Sequence, residues 1–197
     1  MMSHRPRAIT LGQFSAVFIP FGILLVGALM WPETTDAVDL NRTIATIWAA
    51  TVLLGVALTV YPLRGISQGT NNLASLYWTG AWLIFLAHAY WATFIIYDGV
   101  ADTWHQMGPK IAGANFFLTF WWSMDVVLVW TVIREPRWLT WFHIAARLFA
   151  FLVFAVTLLF LRAGPARYLG VIFVLAVLAA LAVRALADVR RTDMQNQ

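Results

Sequence analysis

The chain has 197 residues, 61% of them hydrophobic and 11% charged, with a formal net charge of +4 and no cysteine. A water-facing domain usually carries about 25% charged and about 45–50% apolar residues, so this composition excludes an ordinary soluble surface. The lack of cysteine excludes disulfides, thiolate catalysis and cysteine-ligated zinc or iron–sulfur clusters.

A pI near 10 in a soluble protein would suggest nucleic acid. Here no run of basic residues exceeds two, and they lie in loops and at the ends. Membrane orientation accounts for them, and no nucleic-acid partner is expected. The expected fold is all-α: a polytopic membrane protein forming one bundle of six transmembrane helices over residues 1–197. Apolar runs near the roughly 20 residues that cross a bilayer, without period-2 alternation, argue for helices rather than a barrel.

The spans fall near 13–31, 43–62, 74–97, 112–133, 138–162 and 167–188. The first follows His4-Arg5-Pro6-Arg7, which resembles the start of a signal peptide. Its length and its end at Met30-Trp31-Pro32-Glu33, with no small-x-small cleavage site, mark a retained helix. The last two are separated by Arg162-Ala163-Gly164-Pro165-Ala166-Arg167, a helix stop, a helix breaker and two charges.

With the N-terminus inside, the cytoplasmic segments carry Arg5, Arg7, Arg64, Arg134, Arg137, Arg190 and Arg191, against Arg42, Lys110, Arg162 and Arg167 outside. That bias puts both termini in the cytoplasm of a bacterial inner membrane. Glu33, Asp36, Asp39, Asp98 and Asp102 fall on the outer side, where the longest loops, 32–42 and 98–111, also lie.

Ionisable residues within spans point to function because each is costly to bury. They are His88, Asp125, His143 and Arg147. The fourth and fifth spans are joined by the short Arg134-Glu135-Pro136-Arg137 turn, so they are antiparallel neighbours. Asp125 and Arg147 then both lie roughly 15–17 Å from that turn, at nearly one depth. An intramembrane ion pair follows, and His143, one turn from Arg147, can join it. Such a cluster either pins two helices together or serves as a proton relay or anion site.

His88 can ligate a haem or pigment, or bond to a neighbouring helix; a depth mismatch of roughly 13 Å argues against His143 as a second axial ligand within the chain. Asp98, Asp102 and His105 share one face if residues 98–105 are helical, a candidate site for a borderline divalent metal. Gly99 and Gly108-Pro109 argue against a long helix there, and the competing reading is a solvated polar loop.

Eleven tryptophans are many for this length. Trp31, Trp104, Trp138 and Trp141 fit an interfacial aromatic belt. Trp78, Trp82, Trp91, Trp121, Trp122 and Trp130 either pack between helices or line a pocket for a flat apolar ligand such as a quinone or carotenoid.

No glycine-rich phosphate loop, His-Glu-x-x-His, histidine cluster or Gly-x-Ser-x-Gly occurs, so no catalytic residue is assigned. The expected function is an accessory or scaffold subunit of a larger inner-membrane complex, in contact with lipid and partner subunits, in electron transfer or membrane oxidation. The alternatives are a small-molecule carrier or quinone- or lipid-binding protein using Asp125, Arg147 and His143, and a metal- or tetrapyrrole-binding protein. A metal, haem or quinone cofactor is compatible with the sequence and none is assigned by it.

Overall fold

The computed structural model describes residues 8–195 except 35, 65 and 133–135, with side chains described to Val189 and not at Thr34. The expected contributions of Arg5, Arg7, Arg134, Arg190 and Arg191 to orientation fall outside the described residues or side chains.

The chain is an all-α polytopic membrane protein. Its helices are α1 (Leu11–Met30), α2 (Val38–Val60), α3 (Gln68–Tyr90), α4 (Val100–Met107), α5 (Pro109–Thr131), α6 (Arg137–Val156) and α7 (Pro165–Gln195). Short 3₁₀ turns extend α1 and α2, and π-helical turns at Trp91–Ile96 and Thr157–Leu161 extend α3 and α6. Among the described residues, six helices, all but α4, are long and apolar enough to cross a membrane.

The spans start earlier than hydropathy suggests because their first turns are polar. At α1, Thr10 Oγ1 accepts from the Gln13 amide N–H at 3.2 Å while Gln13 Oε1 accepts from the Thr10 amide N–H at 3.2 Å. Ser67 and Thr70 form the same reciprocal cap at α3. Such boxes satisfy the orphan amides of a helix start, so residues 68–73 are helical despite their polarity.

α2 is the central helix, touching α1, α3, α6 and α7, and its contact with α3 is the most extensive in the bundle. Buried Ala50 and Ala57 on α2 and Ala74 and Ala81 on α3 keep side-chain volume low along these helices. Small residues at helix contacts let backbones approach where no hydrophobic drive separates lipid from protein. α5 packs on α3 and α6, and α7 on α2 and the π turn of α6. The core joins Leu53, Leu54, Trp78, Ile84, Phe85, Leu118, Trp122 and Phe154.

The short connections make successive spans antiparallel. α2 and α5 end, and α3 and α6 begin, on the face where α1 begins, called here the near face. The end of α1, the start of α2, α4 and the Gly164 break (φ 64°) lie on the far face.

Gly170 on α7 sits against the π turn of α6, and a Cβ there would lie 2.7 Å from Leu158 Cβ and 3.3 Å from the Leu158 carbonyl carbon. Neither atom is the end of a flexible side chain, so Gly170→Ala has to move a helix. We expect a loss of about 1–3 kcal/mol, typical of overpacking, read as a lower melting temperature in detergent; Gly22→Ala, with open space at its Cβ, serves as the neutral control.

Candidate functional site

Three helices meet at Asp125. The α5–α6 turn sets Asp125 and Arg147 at matching depth, and α3 brings Trp78 from the opposite side. Asp125 is fully buried and both carboxylate oxygens are taken. Oδ1 accepts from His143 Nδ1 at 2.6 Å. Oδ2 accepts from Trp78 Nε1 at 2.7 Å and from Arg147 Nη1 at 3.0 Å. Three converging donors suit the carboxylate form, which only accepts. Arg147 Nη1 also donates to the His143 carbonyl at 2.8 Å, one turn back on its own helix.

The rest of the guanidinium is covered by aromatic rings. Its carbon lies 4.3 Å from the Tyr61 ring centre and 4.6 Å from that of Trp78. Arg64 stacks on the same Tyr61 ring at 3.6 Å. Cation–π contact favours a desolvated guanidinium, whose flat, weakly hydrated surface matches an aromatic face. Trp78 therefore acts twice, as hydrogen-bond donor to the anion and as a platform for the cation.

Toward the far face, aromatics continue the column. Trp78 lies 4.5 Å from Trp122, which stacks on Phe85 at 5.4 Å. Two further indoles bridge α3 and α5: Trp82 Nε1 donates to Ser123 Oγ and Trp130 Nε1 to Thr79 Oγ1, both at 2.9 Å. Toward the near face, Ser75 and Asn71 are buried one and two turns below Trp78 on α3. Depth matching alone anticipates the Asp125–Arg147–His143 contact; the indole of Trp78 carries no sequence signal, because one more tryptophan in an apolar span looks like packing.

His88 is far from this cluster. Its Nδ1 lies 2.9 Å from the Thr43 carbonyl of α2. A carbonyl only accepts, so Nδ1 carries the proton and the ring ties α3 to α2 near the far face. The bond makes His88 a tie between α3 and α2 through Nδ1.

The acidic residues of the far face do not share the expected helical face. α4 begins at Val100, after Asp98 in a left-handed conformation (φ 53°) and Gly99 (φ 123°), so Asp98 is not on the helical face of Asp102 and His105. Asp102 Oδ2 accepts from Gln106 Nε2 at 2.6 Å. Among the described residues no three His, Asp or Glu side chains gather closely enough to hold a metal. Asp39, in the first turn of α2, accepts from Trp91 Nε1 at 3.2 Å and lies 3.6 Å from Arg42.

The tryptophans divide as their positions suggest. Trp31, Trp104, Trp138 and Trp141 are exposed near the span ends, whereas Trp78 and Trp122 are core residues. Comparison with family models, curated proteins and solved structures found no match to this chain.

Replacing Trp78 by Phe keeps a ring over Arg147 and removes only the donor to Asp125. A hydrogen bond to a charged group contributes about 1.5–3 kcal/mol, and the variant should lose stability in that range. His143→Ala removes the other lateral donor and should cost a similar amount. Thermal unfolding in one detergent checks both; unchanged melting for either variant excludes that donor from the support of Asp125.

Proposed function

We propose that the chain is an accessory or scaffold subunit of a larger membrane complex, with a bundle locked by its own buried ion pair and a C-terminal helix that engages a partner. The observation that carries this reading is the length and exposure of α7. Thirty-one residues make roughly 46 Å of helix, against a hydrocarbon core of about 30 Å. Arg162 and Arg167 flank its start at the far face, so the excess lies at the C-terminal end.

Beyond Val177 no described residue of α7 is buried. Leu178, Leu181, Ala182, Leu186 and Val189 share one side of that stretch by helical spacing, and the four large ones are about half exposed or more. Arg184 and Asp188 pair with each other beside this stripe at 3.0 Å. The stripe runs to Val189 at the end of the apolar span, and an apolar face with a self-neutralised polar flank suits a partner helix lying alongside it.

The closed bonding of Asp125 supports the same reading, since each of its oxygens already serves a helix contact. The buried run Asn71–Ser75–Trp78 leading to Asp125 favours a second reading, a proton relay or carrier, in which that run is the path. Both place the chain in a bacterial inner membrane with the near face cytoplasmic. The first partners to look for are subunits of electron-transfer or membrane-oxidase complexes, to which a tryptophan-rich neighbour offers large apolar contacts.

Native mass spectrometry of the protein extracted gently from its source membranes tests the proposal. We expect co-purifying subunits, released by the double substitution Leu186→Glu with Val189→Glu while the melting of the isolated chain is unchanged. A lone chain or a homo-oligomer, or a complex indifferent to those substitutions, overturns the subunit reading and turns attention to proton uptake by an Asp125→Asn variant in vesicles.

A further inference from the structure

A second feature lies in the far half of the bundle, away from Asp125 and from α7. The π turn of α3 and the upper part of α5 diverge to leave a groove of about 290 Å³, lined by Ala89, Tyr90, Thr93, Phe94, Phe116 and Thr119 among others, with α4 contributing Val100. Thr93 lies three residues before the end of its span and Thr119 ten residues into α5. At 1.5 Å per residue the groove runs from roughly 5 to 15 Å below the span ends, the depth at which lipid ester groups give way to acyl chains.

The groove is mostly apolar, and of its two threonines only Thr119 has its hydroxyl bonded within the chain among the described residues. Thr46, Thr51, Thr79 and Thr119 each donate their hydroxyl to a carbonyl one turn back at 2.7–2.8 Å. Thr93 is 7% exposed, and its hydroxyl makes no such bond among the described residues. The π turn accounts for the difference, because an extra residue per turn shifts the preceding carbonyls out of reach. An unpaired hydroxyl at lipid depth is costly and is relieved by an acceptor from outside the chain.

Above the groove the far-face loop presents both signs of charge. Asp98 stands two residues before the groove-lining Val100, and Lys110 opens α5; both are exposed. A zwitterionic head group matches such a pair, with its phosphate toward Lys110 and its amine toward Asp98, whereas a uniformly anionic head group meets the carboxylate unfavourably. We propose that this groove is a site for one phosphatidylethanolamine molecule, with one acyl chain against Phe94 and Phe116 and an ester carbonyl accepting from Thr93. The site is independent of whether α7 has a partner.

The test is native mass spectrometry of the purified full-length chain, delipidated in detergent and titrated in parallel with phosphatidylethanolamine, phosphatidylglycerol and ubiquinone. We expect one phosphatidylethanolamine per chain at low lipid concentration, with phosphatidylglycerol bound more weakly. Thr93→Val, which keeps shape and removes the hydroxyl, should weaken binding about fivefold, the loss of about 1 kcal/mol of hydrogen bonding. Ala89→Phe, which fills the groove, should abolish the bound lipid. Equal binding of both phospholipids, preference for ubiquinone, or lipid retention unchanged in Thr93→Val overturns the proposal. Thr93→Val decides the matter on its own if Ala89→Phe does not fold.

Discussion

A single fully buried carboxylate organises the middle of this bundle. In hydrocarbon an isolated Asp would be costly, so Asp125 stays where it is only because Arg147, His143 and Trp78 all reach it. Those partners come from two other helices, and meeting the carboxylate fixes the rotation and depth of α3, α5 and α6 together. Apolar packing alone sets rotation weakly in lipid, because one apolar face is much like another. A charge with three obligatory donors leaves one arrangement.

The ends of the bundle are tied by separate polar contacts. On the near face, Asn72 Nδ2 donates to Gln13 Oε1 at 2.8 Å, joining the capped starts of α1 and α3. On the far face, Arg42 donates to Glu33 at 2.7 Å and to the Leu29 carbonyl at 3.0 Å, closing the α1–α2 turn, while His88 ties α3 to α2. These ties hold α1, α2 and α3 as a unit, and the Asp125 cluster attaches α5 and α6 to it. α7 is the outlier, held mainly along its first half through contacts such as Gly170 on Leu158, while none of its described residues beyond Val177 is buried.

Much of this was legible in the residue order. The six spans follow from apolar runs of bilayer length, and the ion pair follows from depth, because the short connection after α5 gives the two helices a common origin. Rotation was not legible: α3 and α5 are apolar nearly all round, so periodicity does not tell that Trp78 points at Asp125 or that Trp82 and Trp130 bridge to Ser123 and Thr79. On the far face, Asp98 and Gly99 take left-handed backbone and put a break where one continuous helix was expected, which periodicity does not signal. The π turn that opens the groove at Thr93 has no periodic signature, because one extra residue in a turn leaves an apolar run looking the same.

The structural role of the cluster separates cleanly from a role in transport by a double-mutant cycle on Asp125 and Arg147, read as unfolding free energy in one detergent. Asp125→Leu and Arg147→Met each leave a buried group without its partner and should cost about 3–5 kcal/mol. The double variant leaves neither charge, and an ionic lock predicts that it is more stable than either single variant, a large coupling between the two sites. Additive losses, or single variants as stable as the parent, would mean that the carboxylate does not hold these helices together.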